Sequence, residues 1–298
     1  MAFKIPGVTV YASQSPETLF RDLKNRKVEG LLSQQADILR AYMTHKEHKD
    51  IALELPTGSG KTLVGLLIAE WRRRNFQERC VYLCPTRQLV HQVVAQAHEK
   101  YGIKVTGFVK SQKDYSQMDI SRFIAGETVA ITTYNSLFNV NTFFNDAHTL
   151  IFDDAHSAEN YVSSFWSLDI KRSEHSEMFN SLLGIIDKYI PEYDRSLYEE
   201  ENDGQPDSLF VNKLPTPILV EISRDILAIL DSQIKDKSLG DVYYKWINIR
   251  KNIIACQLYY SMYSILIRPI IPPTNTFLPF IKAKQRIYMS ATLGEGGD

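Results

Sequence analysis

Cysteine is scarce in this chain. Three cysteines in 298 residues (Cys80, Cys84 and Cys256) are too few for a disulfide framework. They do not make a metal centre either: an iron–sulfur cluster takes four thiolates, and no other Cys or close His pair completes the set. Cys80 and Cys84 fall in an apolar strand pattern and are read as reduced core residues. Long apolar runs are also missing. The apolar stretch Ile253 to Ile271 is interrupted by Gln257, Arg268 and Pro269, and Met1 to Tyr11 lacks the hydrophobic centre of a signal peptide. The expectation is a cytoplasmic protein with no membrane partner. Charge of one sign is not in surplus: 34 Lys and Arg against 35 Asp and Glu leave a net charge of −1. This argues against nucleic-acid binding by bulk charge and leaves a local basic groove compatible. Internal repeats and low-complexity tracts are absent. What is present is enough apolar residue, 44%, to bury the core of one large domain or two ordinary ones.

The chain is organised around Leu55-Pro56-Thr57-Gly58-Ser59-Gly60-Lys61-Thr62, set between the apolar run Ile51 to Leu53 and an amphipathic stretch beginning at Leu63. It reads as a phosphate-binding loop. A strand delivers the chain, the glycines let backbone N–H groups wrap a polyphosphate, and the following helix aims its positive end at the same anion. Lys61 then reaches the β and γ phosphates, and Thr62 offers its hydroxyl to Mg²⁺. Leu55 stands where the consensus has Gly. About ninety residues on, Leu150-Ile151-Phe152 runs into Asp153-Asp154-Ala155-His156, a buried-strand pattern ending in acids. Such a metal-binding strand belongs beside a phosphate loop.

Taken in order, residues 1–30 are a lead-in in which Ser15-Pro16-Glu17 starts a helix, and Ser33 can cap a second helix carrying Ile38, Leu39 and Tyr42. From 51 to 155, β-rich runs (51–55, 81–83, 105–109, 129–131, 149–152) alternate with helical ones (61–76, 87–101, 114–124). Near-continuous apolar strands alternating with helices predict an α/β fold, a parallel sheet covered by helices, with ligand sites at the carboxyl ends of the strands. After His156 the rhythm changes. Helices are expected over 173–190 and 219–234 with an acidic loop from Tyr198 to Pro206 between them. A long helix is expected from Asp241 to Ile267, stopped by Pro269. Arg286 to Met289 is one more strand, followed by Ser290-Ala291-Thr292-Leu293.

The ordered set LPTGSGKT, CPTRQLVHQ (84–92), TTYNSL (132–137), IFDDAH (151–156) and YMSATL (288–293) resembles the first RecA-like domain of superfamily 2 helicases of the DEAD/DEAH-box kind. The resemblance covers about residues 31–156 and 285–293. It implies a RecA-like ATP-binding domain at 31–156, a mainly helical insertion at 157–284, and a return strand with the start of a linker at 285–298. An insertion at this point is similar in location to that of the arch-bearing XPD/DinG-like helicases, without their four cysteines. The Tyr-rich stretch (Tyr243, Tyr244, Tyr259, Tyr260, Tyr263) is read as core rather than as a base-stacking surface.

The resemblance also implies roles. ATP and Mg²⁺ are the cofactors, held by Pro56, Thr57, Gly58, Ser59, Gly60, Lys61 and Thr62, with Asp153 the second metal residue. Gln35 matches the glutamine that reads adenine, with Gln34 as the fallback. Thr86, Arg87, Thr132 and Thr133 match positions that contact a DNA or RNA backbone; the alternative for Thr86 and Thr133 is helix capping. Asp154 replaces the usual Glu that handles the attacking water and is one methylene shorter. His156, Ser290 and Thr292 match the motifs linking the γ-phosphate to domain movement. The family's second RecA-like domain would follow Asp298. The activity implied is a nucleic-acid-dependent ATPase, helicase or translocase; the rival is a regulatory nucleotide-binding module with little turnover. A P-loop kinase leaves PTRQLV and SATL unexplained.

Overall fold

The computed structural model describes residues 13–199 and 210–292. The expectations for residues 1–12, for the acidic loop from residue 200 and for Leu293 onward lie outside them. Along the chain come α1 (Pro16–Asp22), α2 (Ser33–His45), β1 (Asp50–Glu54), α3 (Lys61–Phe76), β2 (Cys80–Cys84), α4 (Arg87–Gln96), β3 (Val105–Phe108), α5 (Gln117–Ile124), β4 (Val129–Thr133), α6 (Tyr134–Leu137), β5 (Thr149–Asp153) and α7 (Ala155–Ser164). Then follow β6 (Leu168–Lys171), α8 (Ser176–Ile186), α9 (Glu192–Glu199), β7 (Asn212–Lys213), α10 (Thr216–Gln233), α11 (Asp241–Ile249), β8 (Cys256–Tyr260), β9 (Ser264–Pro269), α12 (Leu278–Lys282) and β10 (Gln285–Ser290). The chain divides into two units: residues up to Tyr161 with those from Thr274, and Val162–Pro273. Among the described residues no helix is long and apolar enough to cross a membrane.

The first unit is built on a six-stranded parallel sheet in the order β1-β10-β5-β2-β4-β3. This is the RecA-like α/β arrangement expected of the sequence. All five residues of β2 and the first four of β4 and β5 are buried, as a strand covered on both faces requires. α3 is buried from Leu63 to Arg72, nearly all round. Its one buried acid, Glu70, is neutralised by Arg73 at 2.7 Å and Arg74 at 2.6 Å. Cys80 and Cys84 are free thiols at either end of β2, and burial pushes Cys80 up to about 12.

At the amino ends of these strands lies a closed polar network. Arg72 donates to both oxygens of Glu78, at 2.7 and 3.0 Å, and Thr149 donates to the same carboxylate at 2.6 Å. Arg72 also donates to Gln285 Oε1 at 2.9 Å and to the Tyr42 hydroxyl at 3.1 Å. Gln285 Nε2 donates in turn to the carbonyls of Lys46 and His48. Burial alone would raise the Glu78 carboxyl, but the bonds from Arg72 and Thr149 outweigh it and hold it below its ordinary value. This network ties α2, α3 and the first residues of β5 and β10 together. It leaves the carboxyl ends of the strands as the open end of the sheet.

The second unit has a four-stranded antiparallel sheet, β6-β9-β8-β7, with α8 and α10 in contact with each other and with its strands. The helix expected over 241–267 is a correction. α11 stops at Ile249, a 3₁₀ segment follows over Arg250–Ala255, and the remainder is the β8–β9 hairpin. Both strands bury alternate residues: Cys256, Leu258 and Tyr260, then Ile265, Ile267 and Pro269. The run is so apolar that a period of two and a period near four fit it equally. Tyrosine and isoleucine favour the pleated choice once β6 is there to pair. Ser261 fastens the turn, its hydroxyl accepting from the Ser264 N–H at 3.0 Å. Of the five tyrosines read as core, Tyr260 is buried and donates to the buried Asp194 at 2.8 Å; Tyr243, Tyr244 and Tyr259 are half-buried and Tyr263 is exposed, which corrects that expectation.

Candidate active site

β1 delivers the chain into the phosphate loop, and the Leu55 N–H donates to the Ser290 carbonyl of β10 at 2.9 Å. The loop then turns on two left-handed residues, Gly58 (φ 81°) and Gly60 (φ 77°), which any L side chain would strain. Space is open where a Cβ on Gly58 would point, whereas one on Gly60 would come within 2.3 Å of Gln35 Nε2. Gln35 is buried against the loop. Its Nε2 donates to the Ser59 carbonyl at 2.8 Å, and its Oε1 accepts the Leu32 N–H at 3.0 Å. The side chain of Gln35, not Ser33, therefore satisfies the start of α2, which corrects the capping expectation. Gln34 is exposed. Gly60 is the N-cap of α3, so Lys61 and Thr62 stand in its first turn, half-buried.

The strand order places β10 between β1 and β5, with Glu54 beside Ser290 and Met289 beside Asp153. The phosphate loop and Asp153 thus leave the sheet two strands apart, about 10 Å. Burial raises the Asp153 carboxyl above its ordinary value, against the opposing pull of the Tyr82 hydroxyl and Lys61. From α6, Tyr134 donates its hydroxyl to the Asp153 carbonyl at 2.6 Å, and its ring stacks between Phe152 and Tyr161. Tyr82 of β2 is fully buried, and burial, then the Asp153 charge, push its phenol well above the ordinary value, so it stays protonated. Among the described residues, four buried side-chain polar atoms lack a hydrogen-bond partner. Two of them, Ser59 Oγ and Tyr82 Oη, belong to this site. The oxygen donors Thr62 and Asp153, beside buried hydroxyls without a partner, fit a Mg²⁺ ion held together with phosphate.

Asp154 is exposed and left-handed, with φ 55°. Its carboxylate accepts from the Ser157 hydroxyl at 2.9 Å, and its carbonyl accepts the Ser157 N–H at 3.0 Å, fixing the start of α7. His156 is exposed on that first turn. Ser290 is buried beside the phosphate loop, its Oγ accepting the Thr292 N–H at 3.3 Å, and Thr292 is exposed.

The four backbone-contact candidates separate. Arg87 and Thr133 line an open cleft of roughly 840 Å³, together with Lys110, Lys113 and Tyr115. Thr86 is not on the cleft lining; its hydroxyl caps α4, accepting the Leu89 N–H at 3.2 Å. Thr132 is a correction. It is fully buried in β4 and donates to the Phe108 carbonyl at 2.6 Å, so its side chain is closed to a strand. Lys110 and Lys113 escaped sequence reading because they sit in the connection after β3, Lys113 in a 3₁₀ turn over Gln112–Asp114, with no motif around them. Tyr82 reads simply as an apolar strand residue, and Tyr134 stands inside the TTYNSL motif with no role assigned to it.

Residues 33–173 match the family model of DEAD/DEAH box helicases. This stretch is a DEAD/DEAH box helicase domain. No curated protein is significantly similar to the chain in sequence. Among solved structures, the Xpd4 protein of S. tokodaii is similar over 89% of this chain and 58% of its own, at 17% identity and a TM-score of 0.47. The UvsW helicase of bacteriophage T4 is similar over 50% of this chain and 53% of its own, at 17% identity and a TM-score of 0.39. The chain thus spans little more than half the length of those structures. Within the helicase domain lie the phosphate loop, Asp153, Asp154 and the Arg87–Thr133 cleft; Ser290 and Thr292 come from β10, beyond the matched residues.

Proposed function

We propose that this chain is the ATP-binding half of a nucleic-acid-dependent ATPase of the helicase or translocase type. The observation that carries the reading is the phosphate loop itself: left-handed Gly58 and Gly60 open the amino end of α3, with Lys61 close enough to act on the charge of Asp153. In this reading the loop's N–H groups and Lys61 grip the polyphosphate. Thr62 and Asp153 hold Mg²⁺, which when bound neutralises charge on the phosphate oxygens. Asp154 orients the attacking water and takes its proton. Gln35 fixes the loop and has one donor and one acceptor site left for adenine. Arg87 and Thr133, with Lys110 and Lys113, bind a DNA or RNA backbone with little sequence preference. His156, Ser290 and Thr292 relay the state of the γ-phosphate to a second RecA-like domain. That domain's arginine is expected to raise turnover by about 10³–10⁵.

Calorimetry with Mg-ATP tests the reading. Lys61→Ala should weaken binding at least several-fold while leaving the fold intact. Equal affinity in the two proteins overturns it. A second reading, a nucleotide sensor with little turnover, draws on the hydrogen bond that turns the Asp154 carboxylate toward Ser157. Nucleic-acid-stimulated phosphate release separates the two.

A further inference from the structure

Tyr82 has no place in any motif, yet its hydroxyl is one of the few buried polar atoms left without a partner. In the sheet it pairs with Ile151, two residues before Asp153, so both side chains lie on the face covered by α3. After burial, the Asp153 charge acts most on the hydroxyl, and Thr62 also acts on it; these are the two residues assigned to the metal. Room for the ring is made deliberately. A Cβ on Gly65, in the interior of α3, would stand 2.8 Å from the Tyr82 ring and 2.6 Å from Met289 Cε. Glycine there weakens a helix by about 1 kcal/mol relative to alanine, so its presence marks a close approach of helix to strand. A phenylalanine would fill the same space with no unpaired oxygen.

We infer that Tyr82 is a positioning residue for the metal, donating its hydroxyl to the Asp153 carboxylate and so fixing which oxygen is presented to Mg²⁺. This rests on the Mg-ATP reading of the site. Groups that orient a metal ligand from behind typically change metal affinity 10- to 100-fold when removed. The hydroxyl lacks a partner in hydrogen-bonding geometry while the Asp153 charge acts on it, so it has a donor free for that carboxylate.

The test is Tyr82→Phe in the whole chain. ATP affinity is measured by calorimetry with Mg²⁺ and with EDTA, alongside the melting temperature of the nucleotide-free protein. The Mg²⁺-dependent gain in ATP affinity should shrink about tenfold. Affinity in EDTA should stay within about twofold and the melting temperature should hold or rise, because a buried unpaired hydroxyl is removed. An undiminished Mg²⁺ gain in the variant overturns the inference and leaves the site reading intact. A melting temperature that falls together with the EDTA affinity also overturns it, by making the hydroxyl a structural element. Wild-type protein that gains no ATP affinity from Mg²⁺ brings down the site reading itself, and the inference with it.

Discussion

Asp154 is set by its backbone as much as by its chemistry. At φ 55° it occupies a region that costs most side chains about 1–3 kcal/mol, and Asp is tolerated there because a short polar group can bond locally. Here it does so, through Ser157. Asp154→Glu, which restores the family's usual residue, should therefore fail to raise turnover and should lower the melting temperature, since the longer acid loses that local bond. Thermal denaturation and a phosphate-release assay read both effects, and a faster, equally stable variant would contradict them. Asp154→Asn keeps the shape and removes the base, so turnover should fall by about 10²–10⁴ with ATP affinity unchanged.

The network at the amino ends of β2, β5 and β10 differs from the site at the other end in leaving no member unpaired. Arg72→Met should cost about 3–5 kcal/mol in denaturant unfolding, because it strands the Glu78 carboxylate in the interior. Since the folded Glu78 sits below its ordinary 4.5, its contribution is present above that pH and is lost as pH falls through the lower folded value. Glu78→Gln should flatten the acid limb of a stability profile. His148 adds a step nearer neutrality. Burial, with Arg79 and Lys284, holds its imidazole below 6.5, and its Nδ1 must be free of a proton to accept the Arg79 N–H at 3.0 Å. Stability should decline as pH drops through 6.5, where the unfolded imidazole takes up a proton that the folded one resists, and His148→Asn should remove that slope. None of this network is legible in the sequence, because Tyr42, Thr149 and Gln285 lie far in the chain from the Arg72–Glu78 pair and meet it only through strand order. The strands themselves were legible, since a strand buried on both faces is apolar at every position, as in Cys80–Cys84. The β8–β9 hairpin was not, because Trp246, Ile249, Ile253, Tyr260, Tyr263 and Ile267 also fall on a helical period that runs straight through both strands. At the site, the phosphate loop and Asp153 announce themselves by contiguous motif, whereas Tyr82 becomes visible only once Gly65 is seen against its ring.

At the scale of the whole molecule, chain order and sheet order disagree. β10 is the last described strand, yet it lies between β1 and β5, and among the described residues β1 has no other partner in the sheet. A chain ending at Pro273 should therefore lose cooperative unfolding of the first unit and lose ATP binding, while keeping the β6–β9 sheet. Differential scanning calorimetry and circular dichroism distinguish this from loss of both. The same arrangement has a consequence during synthesis. At about 5–20 residues per second, β1 leaves the ribosome roughly ten to fifty seconds before the strand that pairs with it. Once β5 has also emerged, two facing sheet edges stand open until β10 arrives, an invitation to chaperones and to neighbouring nascent chains. Strands β6 to β9 are all made before β10, so the unit translated second is expected to close first, and the one begun first waits for the final strand.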